Sequence, residues 1–190
     1  MSELNNSKND SNFGYKKVTE TEKVSLVNNV FTSVTSRYDL MNDLMSFGTH
    51  RLWKKYFLLC SNIKKGEVVL DLASGTGDVT KLASEAVGEN GSVVSCDINF
   101  AMLNQGRENL INKGFIKNIF YVQSDAQHLA FSENSFDHVT MAFGLRNTAN
   151  IEKALESIHR ILKPGGSIQI LEFSKAEKLI EKPYKVFLNN

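Results

Sequence analysis

Val68-Val69-Leu70-Asp71-Leu72-Ala73-Ser74-Gly75-Thr76-Gly77-Asp78 decides the fold. It is an apolar run ending in an acid, then a glycine turn, then the start of a helical pattern. A strand ending in Asp71, a tight turn through Gly75 and Gly77 and a helix from Asp78 carry backbone N–H groups and a helix N-terminus to the top of a sheet, where a ligand can sit. A dinucleotide fingerprint would put a third glycine at position 80, and Thr80 stands there, which argues against NAD. The next apolar run, Val93-Val94-Ser95-Cys96-Asp97, ends in an acid twenty residues after Gly77. A carboxylate so placed accepts both hydrogen bonds of a ribose diol. The glycine turn alone could be structural, but with Asp97 it points to a nucleoside-containing ligand.

Outward from that loop, short apolar runs alternate with helical patterns. Strands are expected near Val68–Leu72, Ser92–Asp97, Ile119–Gln123, Phe136–Phe143 and Ser167–Phe173, and helices near Asp78–Ala86, Ala101–Asn112 and Ile151–Leu162. The alternation implies an α/β, Rossmann-like fold, with a mostly parallel sheet and helices on both faces. Lys163-Pro164-Gly165-Gly166 is expected to end the third helix and turn the chain into the last strand. Upstream, Val24, Val27, Phe31 and Val34, and then Leu52, Trp53, Tyr56 and Phe57, recur at helical spacing. The expected organisation is a mobile polar tail over residues 1–23, a helical cap over 24–63 and the Rossmann-like core over 64–190.

Lysine and arginine (22) nearly balance aspartate and glutamate (21), so charge gives no reason to expect nucleic acid as the partner. A small or neutral substrate fits better. Cys60 and Cys96 share no metal-ligand spacing with the four histidines and are expected to be free core thiols of a reducing compartment. No secretory h-region and no run long enough to span a membrane is visible, so a cytoplasmic protein is expected. His128, His138 and His159 fall in separate elements, and no metal site is expected. His50 in the cap is a secondary candidate for proton transfer.

Asp125, just past the third strand, could accept from an adenine amino group while the Ala126 backbone reads the ring edge; capping a local turn is the alternative, and the two are compatible. Phe143-Gly144-Leu145-Arg146-Asn147 puts a guanidinium and an amide at the carboxyl edge of the sheet, where open α/β folds bind ligands. Arg146 could stabilise an oxyanion but is a poor base.

Across residues 12–175 the chain resembles the UbiE-type quinone-biosynthesis C-methyltransferases. The resemblance is carried by Tyr38-Asp39 with Met41-Asn42-Asp43-Leu44-Met45-Ser46-Phe47-Gly48, His50-Arg51-Leu52-Trp53-Lys54, Leu70-Asp71-Leu72-Ala73, Gly75-Thr76-Gly77-Asp78, Phe143-Gly144-Leu145-Arg146-Asn147 and Leu171-Glu172-Phe173-Ser174-Lys175. It implies transfer of a methyl group from S-adenosylmethionine to a ring carbon of a polyprenylated hydroquinone, either demethylmenaquinol or 2-polyprenyl-6-methoxy-1,4-benzoquinol. By resemblance the cofactor contacts map onto Thr76, Asp97, Asp125 and Ala126, in a loop that includes Asp71, Gly75 and Gly77. Ala142 stands where the family commonly has a serine, and Ser74 where it often has a glycine.

A hydroquinone ring becomes a carbon nucleophile when its phenolic proton leaves. Arg146 and Asn147 are expected to hold the quinol oxygen, with Asp39 accepting the proton through water. A greasy substrate implies transient contact with the inner face of a membrane, and a homodimer or a quinone-biosynthesis complex is the expected assembly. The family continues for roughly one third more chain, through strands that close the sheet. The expectation is a fold whose last two strands are missing, with Ser167–Phe173 an open apolar edge, and a chain that is inactive or poorly soluble as it stands. Two alternatives stay open: a methyltransferase acting on another phenol or lipid, and a chain that binds cofactor without turnover.

Overall fold

Thr19 decides where the cap begins. In the computed structural model, which describes residues 10–13 and 16–173, its hydroxyl accepts from Glu22 N (3.2 Å) while the Glu22 carboxylate accepts from Thr19 N (2.9 Å). This reciprocal pair starts helix α1 (Glu20–Val34) four residues ahead of the first residue of the apolar stripe. The expected polar tail through residue 23 is therefore corrected: strands β1 (Asp10–Phe13) and β2 (Lys16–Thr19) form an antiparallel hairpin that runs into α1. The stripe marks the packed face of the helix, and the cap sets its end.

Helices α2 (Tyr38–Ser46) and α3 (Thr49–Cys60) follow. Phe47 and Gly48 between them are both left-handed (φ 49° and 72°), and Gly48 N donates to Asp43 O at 2.9 Å, so the breaker acts where the sequence has it.

The core alternates as expected: β3 (Val68–Leu72), α4 (Asp78–Val87), β4 (Ser92–Asp97), α5 (Phe100–Asn112), β5 (Ile119–Gln123), β6 (Phe136–Ala142), α6 (Ile151–Ile161) and β7 (Leu162–Leu171). The strand order is β5-β4-β3-β6-β7, with every neighbouring pair parallel. Successive side chains alternate across the sheet. Leu70, Leu72, Val139 and Met141 pack with Ile158 and Ile161 of α6 on one face, while Val69 and Val93 pack with Ala83 and Val87 of α4 on the other. Each such burial is worth about 1.5–3 kcal/mol.

β7 differs from its expected start. Leu162 already pairs with Phe136, and the ladder resumes at His138 with Ser167, so Lys163-Pro164-Gly165-Gly166 is a bulge within the strand rather than a turn before it. Gly165 takes the left-handed conformation (φ 81°) there. Among the described residues β7 is an edge of the sheet. Cys96 is buried as expected, but Cys60 is exposed at the end of α3. No described helix is long and apolar enough to cross a membrane.

Candidate active site

β3 and β4 end side by side, with Asp71 paired to Ser95 and Leu72 to Cys96 in register. Their two acids nevertheless do different work. Asp97 reaches the glycine loop: one oxygen accepts from Gly75 N (2.9 Å) and the other from Asn99 N (2.8 Å). Burial pushes the Asp97 carboxyl up, while backbone donors from Asn99, Gly75 and Ile98 pull it down. Three backbone donors on two oxygens leave the carboxylate acceptor capacity for a further donor.

Asp71 is 1% exposed and takes the hydroxyls of Thr80 (2.6 Å) and Thr140 (2.9 Å), tying α4 and β6 to β3. Burial raises its carboxyl to about 6 despite those donors. Asp71 is absent from the wall of the cleft and supports the loop from beneath. Thr80, where a dinucleotide site would have glycine, is the other half of that support.

The glycine loop is held by close approach. Gly77 is left-handed (φ 88°), and a Cβ on Gly106 of α5 would stand 2.6 Å from Gly75 O, so the helix touches the loop backbone. Sequence reading did not single out Gly106, because a lone glycine inside a helical pattern carries no local signal of what packs against it. Ser74, the departure from the family's usual glycine, accepts from the buried Ser95 hydroxyl at 2.9 Å and is thereby satisfied.

Above the loop lies a cleft of about 820 Å³, open mouth included. Its floor is Leu72, Ala73, Gly75, Asp97 and Met141; Ile98, Asn99 and Met102 close one side, and Asp125, Ala126 and Gln127 another. Ala142, Phe143, Gly144 and Asn147 come from the end of β6, and α1 covers the top with Val24, Val27, Asn28 and Phe31. Tyr38 joins this wall and packs on Phe31 at 5.9 Å.

Polar ties fix the cap over the cleft. Asn99 Nδ2 donates to Asn28 O (3.0 Å) and Thr32 Oγ1 (2.8 Å), and the buried Lys23 ammonium donates to Thr148 O (2.7 Å). Lys54 pairs with Asp78 at 2.9 Å. Burial pushes the Asp78 carboxyl up, but the charge and hydrogen bond of Lys54 outweigh it, leaving Asp78 below the usual range.

Of the expected site residues, Gly75, Asp97, Asp125, Ala126, Ala142 and Asn147 line the cleft, while Asp39, Asp71, Thr76, Gly77 and Arg146 do not. Asp39 accepts the Thr76 hydroxyl at 2.6 Å, which fastens α2 to the glycine loop. Arg146 donates through both its backbone N (3.2 Å) and its guanidinium to Glu172, and its guanidinium lies over Phe173 (5.1 Å) and Phe143 (5.9 Å). Phe143 itself is left-handed (φ 58°), an uncommon state for an aromatic residue, and its ring stacks on Phe173 at 4.7 Å. Asn147 Nδ2 donates to Phe143 O at 3.2 Å.

His50 is buried, bonded to Ser46 Oγ at 2.8 Å, and held below its ordinary pKa by burial. It is absent from the cleft wall. His138 lies at the opposite end of the sheet between Ser167 Oγ (2.9 Å) and Glu67 (3.0 Å). Among the described residues no cluster has metal-ligand character.

The strand order, the glycine loop and the acid at the end of the second core strand define a Rossmann-like fold with a cleft at the carboxyl edge of its sheet. The chain belongs to the ubiE/COQ5 methyltransferase family, whose model matches residues 16–190. The ubiquinone/menaquinone biosynthesis C-methyltransferase UbiE of Pseudoalteromonas translucida is 54% identical to it over 181 residues, 95% of this chain and 72% of the relative. The protein of the same name from Idiomarina loihiensis is 55% identical over 172 residues, 90% of this chain and 68% of the relative.

Among solved structures, a SAM-dependent methyltransferase from Aquifex aeolicus is 29% identical, with a TM-score of 0.61 over 66% of each chain. The YcgJ protein from Bacillus subtilis shares the fold at 22% identity, with a TM-score of 0.60 over 74% of this chain and 57% of its own. The chain is thus a methyltransferase that uses S-adenosylmethionine. The site suits that cofactor, since Asp97 keeps acceptor capacity for a ribose diol beside the apolar Ile98 and Met102.

Proposed function

We propose that this chain methylates a ring carbon of a polyprenylated hydroquinone in ubiquinone or menaquinone biosynthesis, the reaction for which its relatives are named. The observation that carries this reading is the meeting of two features at one sheet edge. The nucleoside cleft over Gly75 and Asp97 runs directly into Phe143, Gly144 and Asn147, the segment by which the sequence resembles the quinone methyltransferases. The demethylmenaquinol and 2-polyprenyl-6-methoxy-1,4-benzoquinol rings share the chemistry required.

S-adenosylmethionine, when bound, supplies an electrophilic methyl group on a sulfonium. Asp97 accepts from the ribose hydroxyls, Asp125 accepts from the adenine amino group, and the Ala126 backbone meets the ring edge. Thr76 and Gly77 act through the loop they shape, Asp71 through Thr80 and Thr140, and Ala142 by leaving room where a hydroxyl is common. α1 excludes water, so the ring carbon and the methyl group meet in a dry, aligned pair.

Asn147 already stands on the wall and holds the quinol oxygen. Arg146 reaches the same oxygen by exchanging Glu172 for it, stabilising the quinolate as the phenolic proton leaves. Asp39 accepts that proton through water once its bond to Thr76 opens. The substrate's prenyl tail brings the protein into transient contact with a membrane face, and a homodimer or a quinone-biosynthesis complex is the proposed assembly.

In a chain extended to the length of its relatives, incubation with labelled S-adenosylmethionine and a demethylmenaquinol analogue tests the reading, with ring C-methylation as the expected product. Arg146→Ala should lower turnover far more than cofactor affinity measured by calorimetry. Equal losses in both would remove Arg146 from the substrate side, and methyl transfer to an oxygen rather than a ring carbon would overturn the reaction.

A further inference from the structure

Helix α2 is built inside out. Asp39, Asp43 and Ser46, at i, i+4 and i+7, make its bonds to the rest of the protein: Asp39 accepts the Thr76 hydroxyl (2.6 Å), Asp43 accepts from Arg51 (2.8 and 2.6 Å) and Ser46 Oγ bonds His50 Nδ1 (2.8 Å). Leu40 and Leu44, with Phe47 just past the end of the helix, repeat that spacing on the other side, and Met41 and Met45 stand beside them. All five are 37–83% exposed. An amphipathic helix ordinarily packs its apolar stripe on the core and turns its polar one to water. On α3, Leu52, Tyr56 and Leu59 form a second exposed stripe, while Phe57 is buried. Apolar side chains shown to water in such numbers mark an interaction surface.

We infer that this face of α2 and α3 docks on a lipid bilayer carrying anionic headgroups, so that the substrate's tail reaches the cleft from the membrane. The inference rests on the polyprenylated quinol proposed above. Charge selects lipid as the occupant. Arg37, just before α2, and Lys55, on the exposed stripe of α3, are exposed cations with no ion-pair partner among the described residues. The two acids of residues 37–60 are both engaged, Asp39 by Thr76 and Asp43 by Arg51. An apolar face flanked by unpaired cations is the makeup of a helix that lies in the headgroup layer, where a lysine stem follows the apolar surface and its ammonium meets phosphate. The nine residues of α2 are too few to span a bilayer. Tyr38, the first residue of α2, lines the cleft, so the face begins at the cleft wall.

Co-sedimentation with vesicles tests this without any need for turnover, on the 190-residue chain and on the chain extended to the length of its relatives. Both should bind vesicles of equal parts phosphatidylcholine and phosphatidylglycerol, bind phosphatidylcholine alone more weakly, and lose the difference as salt is raised. Leu44→Ser should weaken binding to the mixed vesicles about 10-fold, the loss for one leucine kept out of the apolar layer. Lys55→Gln should weaken it about 5-fold at low salt and leave it unchanged at high salt. Ile116→Ser, at an exposed isoleucine beyond α5, should change nothing. Circular dichroism on each variant confirms that it folds.

A parent chain that ignores the mixed vesicles overturns the inference whatever the variants do, and so does a Leu44→Ser chain that binds them as the parent does. If the 190-residue chain binds and the extended one does not, the rest of the chain covers the face and the inference fails. It fails too if the parent forms dimers that Leu44→Ser disperses and neither binds vesicles, because the face then takes a second copy. Methyl transfer separates this from the substrate reading. In the extended chain, Leu44→Ser should methylate a short-tailed, water-soluble demethylmenaquinol analogue as the parent does, while losing rate on a long-tailed one held in mixed vesicles. Vesicle binding through Leu44 with neither analogue methylated would overturn the quinol and leave the docking face standing.

Discussion

The parallel sheet and the helical cap are built on opposite terms. In β3 and β6, Val69, Leu70 and Val139 have no exposed surface, and each strand is paired on both sides. In α2 no side chain is fully buried, and Leu44 and Met45, with Phe47 just past its end, stand 65–83% exposed. The sheet is held by apolar area, which tolerates little change in shape. The cap buries less, chiefly Val27 and Phe57, and is fastened by polar ties at its edges: Asp39 to Thr76, Lys54 to Asp78, and Asn99 to Asn28 and Thr32. The division suits a cleft that must stay rigid beneath its ligand and openable above it.

Leu70→Ala should break the sheet side hardest. It removes a fully buried side chain from the layer between β3 and α6, with an expected loss of about 2–5 kcal/mol in denaturant unfolding. A loss below 1 kcal/mol, by the same scale, would mean that the core relaxes freely and the contrast with the cap is false.

Asp71 should give the fold a pH dependence of its own. Its carboxyl lies at about 6 in the folded chain against an ordinary 3.8. Below both values the proton is bound in both states and nothing is lost. Between them the unfolded chain ionises first, so stability falls as pH rises from about 4 to about 6, by about 3 kcal/mol in all. Carboxylates with lowered values, such as Asp137 and Asp43, work in the opposite sense, so the comparison is made against Asp71→Asn. Relative to the parent, that variant should gain stability across this window, and parallel melting curves at every pH would refute the assignment.

Asp97→Ala sharpens the comparison where sheet and ligand meet. It should weaken S-adenosylmethionine binding by about 1–3 kcal/mol, the range for leaving buried polar groups unpaired. Calorimetric affinity equal to the parent's would show that the ribose does not rest on Asp97. The smallest effect belongs to the cap: Leu44→Ser on the exposed face of α2 should move unfolding stability by no more than about 0.5 kcal/mol in the isolated chain. A larger loss would mean that this face is packed.

How far the sequence could be read differed along the same divide. The bounds of β3, β4 and β5 fall where short apolar runs put them, and β3 and β4, flanked by strands and covered by helices on both faces, must be largely apolar along their length. α1 began four residues early because a capping box, not the apolar stripe, sets its start. β7 began five residues early because one pairing, Leu162 with Phe136, lies beyond a bulge that reads as a turn. At the site, Asp97 and Asp125 were legible from their places after strands. Gly106 was not, since a close backbone approach is not visible without the partner that faces it.

The sequence by itself determined the alternating architecture, the glycine loop and the acid that reaches it, since these follow from local periodicity and from turn chemistry at fixed spacing. Only the tertiary structure decided that Asp71 is a strut rather than part of the wall, that Asp39 is bound to Thr76, and that Arg146 rests on Glu172. Those pairs lie between 9 and 37 residues apart along the chain. Which acceptor meets which donor across such separations is fixed by how the layers pack, not by any local pattern.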